Sequence, residues 1–172
     1  MYAAASVRSG LRRSMPVNKQ TAPGVMDTSY FLDADLFLRF LTGDDRRKAQ
    51  ACRRLVQKAV DGELSLSTHP MIMAEVVRIL DSYYKLPREE IATKLRLIMN
   101  TPNLAIADGN AFSLAVELYS CSKIDLADCF AAAMVAQKGC MLVSYDRDFD
   151  KLEGIQRVKP EDIGKIVRPG SL

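Results

Sequence analysis

Carboxylates placed directly after apolar segments are the side chains of this sequence best suited to chemistry. Asp33 follows the apolar run 29–32, with Asp35 two residues later, and Asp146 follows the apolar run 141–143. Both runs have the length and composition of short buried strands. In open parallel sheets, functional clefts lie at the carboxyl ends of the strands. We therefore expect these acids to meet at one cleft.

Further acids are expected in helices near the same cleft. Asp125 is at the predicted N-cap of a helix and Asp128 in its first turn, positions where acids also simply stabilise a helix start. Glu75 lies inside an apolar helical stretch, where burying a carboxylate without a partner is costly. Asp148 follows Asp146 closely and has an ordinary explanation as a turn acid.

Several carboxylates at one cleft point to a bound cation. They would repel each other and raise their own pKa values. A hard divalent cation such as Mg²⁺ or Mn²⁺ removes that conflict through oxygen ligation. Such a site activates water and stabilises negative charge on phosphate, which suits phosphodiester hydrolysis. The chain has a single histidine, His69, so Ser-His-Asp, Cys-His and multi-histidine chemistry are nearly excluded.

The elements that must position these acids alternate along the chain. We predict a three-layer α/β/α fold with a central, mostly parallel sheet of four to five strands, because strands separated by helices require crossover connections. The predicted strands are 29–32, 64–67, 104–106, 141–143 and a short one near Val158. The predicted helices are 35–41, 44–60, 68–84 with Thr68 as N-cap, 87–100, 108–121 and 125–138. Phe31, Phe37, Phe40 and Phe130 are expected in the core.

Charge divides the chain into a leader and a single domain. Residues 1–26 carry four basic residues and no acid, and we expect them to be disordered. The whole chain carries 24 basic and 21 acidic residues, so the domain expected at 27–172 holds one acid more than bases. No apolar run is long enough to span a membrane. The four cysteines lack C-x-x-C spacing and are expected to be reduced and mostly buried.

Four motifs together resemble those of PIN-domain ribonucleases. The motifs lie at Tyr30–Leu41, Met73–Leu80, Ile124–Ala133 and Leu142–Phe149, and the likeness covers residues 27–160. Their order and spacing make the resemblance specific, although any one alone would be weak. Within the family, the segments 39–45 and 84–91 are most similar to VapC-type toxins of toxin–antitoxin pairs.

The resemblance implies roles for individual residues. The implied catalytic, metal-binding acids are Asp33, Glu75, Asp128 and Asp146. Asp35 and Asp125 support them, and Ser144 falls where the family has a Thr or Ser that helps to hold the last acid. Asp35 replaces the family's usual Asn. Asp148 competes with Asp146 for the fourth position, and we favour Asp146 because it ends the strand.

The same resemblance implies a cofactor, partners and a location. It predicts a cytoplasmic, homodimeric ribonuclease that uses Mg²⁺ or Mn²⁺, cleaves RNA and is inhibited by a cognate antitoxin protein. Arg46, Arg47 and Arg53 belong to a basic helix that is either a solvated face or a contact for the RNA backbone. Arg39 is a further candidate contact for phosphate or antitoxin.

Two other functions remain open on the residues alone. Asp33-Ala-Asp35 after a strand also fits the opening of haloacid-dehalogenase-type phosphatases, with Asp33 as covalent nucleophile and Asp35 as general acid. Leu36-Phe37 and the absence of a late G-D-x-x-x-D motif argue against that reading. The third possibility is a non-catalytic RNA-binding module that keeps the fold.

Overall fold

The computed structural model describes residues 29–163, so the predicted leader 1–26 lies outside the described residues. This part of the chain alternates strands and helices, as expected. The strands are β1 (Ser29–Phe31), β2 (Ser65–Thr68), β3 (Leu104–Ile106), β4 (Leu142–Val143) and β5 (Arg157–Val158). The helices are α1 (Ala34–Thr42), α2 (Arg46–Val60), α3 (Pro70–Ser82), α4 (Arg88–Met99), α5 (Gly109–Cys121) and α6 (Leu126–Lys138). Two short 3₁₀ helices cover Arg147–Lys151 and Pro160–Asp162.

The strands are parallel, but they form two sheets instead of the expected single sheet of four to five strands. One sheet has the order β1-β2-β3, and the other pairs β4 with β5. No described strand pairs with the outer side of β1, so β1 is an edge strand. All three of its residues are also exposed. The expectation that β1 is buried was therefore wrong. Local hydrophobicity identifies a strand, but tertiary packing chooses its neighbour.

Helix α3 is central to the packing of the described residues. It packs against α1, α4 and α6, and its core side includes Met73, Val76 and Leu80. Phe37 from α1 and Phe112 from α5 are fully buried in the same core. Phe40 and Phe130 are half-buried, whereas Phe31 is 63% exposed and does not belong to the core. The α/β fold class is nevertheless as predicted.

Capping residues explain where the helices near the cleft begin. The Asp45 carboxylate accepts the Lys48 N–H at 3.0 Å, which starts α2 at Arg46. Helix α3 starts one residue later than predicted. His69 is its N-cap, with Nδ1 accepting the Met71 N–H at 3.2 Å, whereas Thr68 ends β2 and donates its buried hydroxyl to the Leu32 carbonyl at 3.1 Å.

The four cysteines are free, in agreement with their spacing. Their burial differs from the prediction, since Cys129 is buried and Cys52 half-buried, but Cys121 and Cys140 are exposed. Within residues 29–163, no helix combines the length and hydrophobicity needed to cross a membrane.

Candidate active site

The first pair of acids lies in a cleft between helices α1 and α2. Asp33 is the N-cap of α1, and its Oδ1 accepts the Ala34 N–H at 2.7 Å. Asp35 is in the first turn of α1, and both side chains line a cleft of about 440 Å³. Lys48 and Cys52 line the opposite wall, on α2. The cleft therefore has an acidic side and a side carrying a base.

Arg39 ties the far end of this cleft to two carboxylates. Its guanidinium lies 3.1 Å from Asp35 and donates to Asp44 at 2.7 Å, and the Tyr84 hydroxyl also donates to Asp44, at 2.6 Å. The Tyr84 hydroxyl and then Arg39 lower the pKa of Asp44 to about 2. Because two carboxylates already engage Arg39, a phosphate or antitoxin would have to compete with them.

A second group of acids surrounds the start of α6. Asp128 is half-buried in the first turn, and Asp125 is the N-cap, with no capping hydrogen bond from its side chain. Burial raises the pKa of Asp128, and the negative charges of Asp125, Asp146 and Asp148 raise it further. The structure thus places Asp125, Asp146 and Asp148 near Asp128, whereas Asp33 and Asp35 line a different cleft, so the expectation that the acids after β1 and β4 meet at one cleft was wrong.

Asp146 and Asp148, the two candidates for the fourth acid, have different partners in the segment after β4. The Ser144 hydroxyl accepts the Asp146 N–H at 3.0 Å, and Asp146 Oδ1 accepts the Asp148 N–H at 2.8 Å. Lys151 forms an ion pair with Asp148. No such pair is formed by Asp146 within residues 29–163. Asp146 is therefore the acid whose negative charge is less compensated.

Glu75 is exposed, and the expectation of a carboxylate buried among apolar side chains was wrong. Met73, Val76 and Val77 face the core. Because successive helical residues are about 100° apart, Glu75 lies on the opposite face of α3, which is exposed. Helix α3 itself packs against α1 and α6, the helices whose first turns carry Asp35 and Asp128.

The donor set fits a hard cation in type and charge but not in spacing. All candidate ligands are carboxylates, which suits Mg²⁺ or Mn²⁺. Across residues 29–163, however, no three His, Cys, Asp or Glu side chains lie close enough to hold one ion together. The acids form two groups, one at Asp33 and Asp35 and one around Asp128, rather than one convergent set.

Two arginines that the sequence analysis did not single out hold the segments carrying these acids. Arg88 Nη1 donates to the carbonyls of Tyr119 and Ile124 at 3.0 and 2.7 Å, and its guanidinium carbon lies 3.9 Å over the Tyr119 ring. Ile124 directly precedes Asp125. A base at the start of a helix is unfavourable for the helix dipole, so Arg88 at the start of α4 carried a sequence signal for a tertiary partner.

The second arginine is Arg157 on β5. It pairs with Asp150 and donates to the Ser144 carbonyl at 2.9 Å. Nothing in its local sequence marks these partners, because they lie seven and thirteen residues away.

Residues 30–155 match the family model of the PIN domain. This chain belongs to the PIN domain family. The match includes every acid discussed above and excludes β5. PIN domains are typically nucleases, so membership of this family argues against the haloacid-dehalogenase-type phosphatase.

Other comparisons with this PIN domain add little. No curated protein matches the chain significantly. Among solved structures, it is similar to a chain of VapBC2 from Rickettsia felis bound to a DNA fragment from their promoter. The two share 14% sequence identity at a TM-score of 0.31, over 77% of this chain and 98% of that chain. At that TM-score, the family assignment rests on the PIN domain match alone.

Proposed function

We propose that this PIN domain is a Mg²⁺- or Mn²⁺-dependent endoribonuclease. The observation that carries the proposal is the acid group around Asp128, in which a half-buried carboxylate has Asp125, Asp146 and Asp148 near it. Such an arrangement is unfavourable for the protein alone and favourable for cation binding. When bound, the cation supplies an activated water and charge stabilisation at phosphate.

The proposed ligands are Asp33, Glu75, Asp128 and Asp146. Asp146 is preferred to Asp148 because Lys151 already neutralises Asp148. The Ser144 hydroxyl supports this choice, since it accepts the Asp146 N–H and orients that residue. Calorimetric measurement of Mg²⁺ and Mn²⁺ binding tests this ligand set directly.

Helix α2 is the proposed contact for the RNA backbone. Arg46, Arg47 and Arg53 are exposed, and none of them forms an ion pair within the described part of the chain. The same helix provides Lys48 to the cleft that contains Asp33. A phosphodiester in this cleft would thus meet basic side chains that offset its repulsion from the acids.

We further propose that the protein is the toxin of a type II toxin–antitoxin pair, acting in the cytoplasm as a homodimer. The support is the likeness of segments 39–45 and 84–91 to VapC-type toxins. In the structure these segments meet, since Tyr84 and Arg39 share Asp44. An antitoxin protein is the expected partner, and its segment would cover the acidic cleft.

Purified wild-type protein, Asp33→Asn and the control Asp81→Asn test the nuclease. Asp81 is an exposed acid near the other end of α3. We expect wild type and Asp81→Asn to cleave RNA with Mg²⁺ or Mn²⁺ and to stop when EDTA is added. Asp33→Asn should lower the cleavage rate more than about 100-fold, because removing a metal ligand should cost more than removing a residue that only hydrogen-bonds to a ligand, which typically costs about 10- to 100-fold.

Cleavage that persists in EDTA, or equal rates in Asp33→Asn and wild type, would contradict the metal-dependent nuclease. Metal binding with no cleavage of any RNA would instead support the non-catalytic module. Induced expression of the same variants tests the toxin: only wild type and Asp81→Asn should arrest growth, and arrest by Asp33→Asn would remove hydrolysis as the cause.

A further inference from the structure

Arg157 uses one guanidinium to hold the chain on both sides of Asp146. Its Nη1 donates to the backbone carbonyl of Ser144 at 2.9 Å. Its Nε and Nη2 donate to the two carboxylate oxygens of Asp150, each at 2.8 Å. Because Asp146 lies between Ser144 and Asp150 in the chain, these contacts bracket the segment that carries it.

The Arg157 contacts differ from an ordinary surface ion pair in their burial. The Arg157 side chain is only 10% exposed, although Asp150 is half exposed. A guanidinium removed from water is stable only when its N–H groups are well partnered. The planar fork matches a carboxylate with two parallel hydrogen bonds, and a lysine cannot reproduce that geometry.

The Arg157 contacts reach Asp146 through a short series of hydrogen bonds. Arg157 holds the Ser144 backbone, and the Ser144 hydroxyl accepts the Asp146 N–H at 3.0 Å. The Asp146 carboxylate in turn accepts the Asp148 N–H at 2.8 Å. The pKa of Arg157 is raised, first by its hydrogen bonds to Asp150 and further by the negative charges of Asp150 and Asp146.

We propose that Arg157 is a positioning residue that orients the Asp146 carboxylate within the acid group around Asp128 by fixing the Ser144–Asp150 segment. The inference rests on the proposed function, in which Asp146 is a metal ligand. Arg157 lies beyond residues 30–155, so the PIN domain match assigns it no role.

The first test follows the backbone amides of Asp146 and Asp148 by NMR and hydrogen exchange in the full chain. Arg157→Met should shift both resonances and speed their exchange by at least about tenfold. Arg157→Lys should restore them only in part, because it keeps the charge and loses the fork. The matched control is Arg96→Met, which removes another two-pronged pair, to Glu117 at 3.0 and 3.1 Å. It should leave both amides unchanged.

The second test measures Mn²⁺ binding by calorimetry, together with the kinetics of RNA cleavage. We expect Arg157→Met to weaken Mn²⁺ binding about 10- to 100-fold and to lower kcat, with little change in KM for RNA. Arg96→Met should change neither quantity, although it also loses an ion pair. If Arg157→Met fails to fold, Asp150→Asn provides the comparison, since it weakens one side of the bracket and keeps the contact to Ser144.

Unchanged Asp146 and Asp148 amides in a folded Arg157 or Asp150 variant would overturn the inference. Equal weakening of Mn²⁺ binding by Arg96→Met would also overturn it, since the effect would then be a general loss of stability. A wild-type protein that neither binds Mn²⁺ nor cleaves RNA would overturn the proposed function instead, and the amide measurements would still decide whether Arg157 positions Asp146.

Discussion

The acids of this protein differ in their partners far more than in their chemistry. Asp148 and Asp150 are each paired with a base, Lys151 and Arg157 respectively. Asp128 instead has burial and other acids around it, and its pKa is raised. A carboxylate held against like charges is costly to the fold and useful to a cation site. Partner geometry thus separates structural acids from candidate ligands.

Asp44 gives a pH prediction of defined sign. Its pKa is lowered from 3.8 to about 2, first by the Tyr84 hydroxyl. A lowered carboxyl pKa stabilises the fold fully above the unfolded value, and that stabilisation is lost as pH falls through the folded value. Tyr84→Phe should therefore be less stable than wild type above pH about 4, with the difference shrinking toward pH about 2.

Urea denaturation across this pH range checks the Asp44 prediction. Tyr83→Phe is the matched control, because Tyr83 is the exposed neighbour and its hydroxyl makes no hydrogen bond to Asp44. It should follow wild type at every pH. A stability difference between Tyr84→Phe and wild type that stays constant down to pH about 2 would contradict the assignment of the low pKa to the Tyr84 hydroxyl.

The helices of this fold were predictable from sequence, whereas the sheets were not. Helix α2 begins after the cap Asp45, and α1 ends at Gly43, which has a φ of +68° that favours glycine. These signals act within one helical turn. The pairing of β4 with β5, and the exposed edge of β1, depend on which distant segments pack together. Two-residue strands carry too little pattern to specify a neighbour.

Helix α2 should contribute affinity for RNA without contributing chemistry. We expect Arg47→Ala/Arg53→Ala to weaken RNA binding and to reduce the slope of log affinity against log salt by about 0.7 per lost phosphate contact. Fluorescence anisotropy with a labelled RNA, in an Asp33→Asn background that prevents cleavage, measures both. Lys123→Ala/Lys138→Ala removes two exposed bases elsewhere and serves as the control. If both double variants weakened RNA binding equally, the effect would come from net charge and not from a contact made by α2.

The turn between α5 and α6 should depend on Arg88. Arg88→Met leaves the carbonyls of Tyr119 and Ile124 without their charged donor and removes the stacking on the Tyr119 ring. Each hydrogen bond to a charged group contributes about 1.5–3 kcal/mol, and partial exposure reduces it, so we expect a loss of about 2 kcal/mol. Urea unfolding measures it, and Arg78→Met, on the exposed side of α3, should change little. A loss of unfolding free energy below about 0.5 kcal/mol for Arg88→Met would show that the Arg88 hydrogen bonds to Tyr119 and Ile124 do not stabilise the fold.

The charge of the whole chain is a poor guide to its partners. The net charge is +3, but residues 1–26 hold four bases and no acid, and the rest carries one acid more than bases. The basic helix α2 and the acid groups all lie within residues 29–163. The distribution of charge over the domain, not its sum, therefore supports a nucleic-acid substrate.

Removing residues 1–25 should leave nuclease activity largely intact. The variant beginning at Met26 keeps every candidate ligand and every arginine of α2. Cleavage rates and circular dichroism of the shortened and full chains, measured side by side, check this expectation. A large loss of rate with an unchanged circular dichroism spectrum would show that the basic leader takes part in RNA binding.

The sequence by itself determined the alternation of elements, the helix starts to within two residues and the acids that follow β1 and β4. These features depend on apolar periodicity and on caps, which are read within a few residues. The tertiary structure alone decided that Glu75 is exposed, that Arg39 is engaged by Asp35 and Asp44, and that Arg157 holds the segment around Asp146. The Arg157 contacts join residues that are distant in the chain, and the exposure of Glu75 depends on which face of α3 packs inward. The Arg157 contacts and the exposure of Glu75 are both determined by tertiary packing, because packing and not local preference decides which side chains meet.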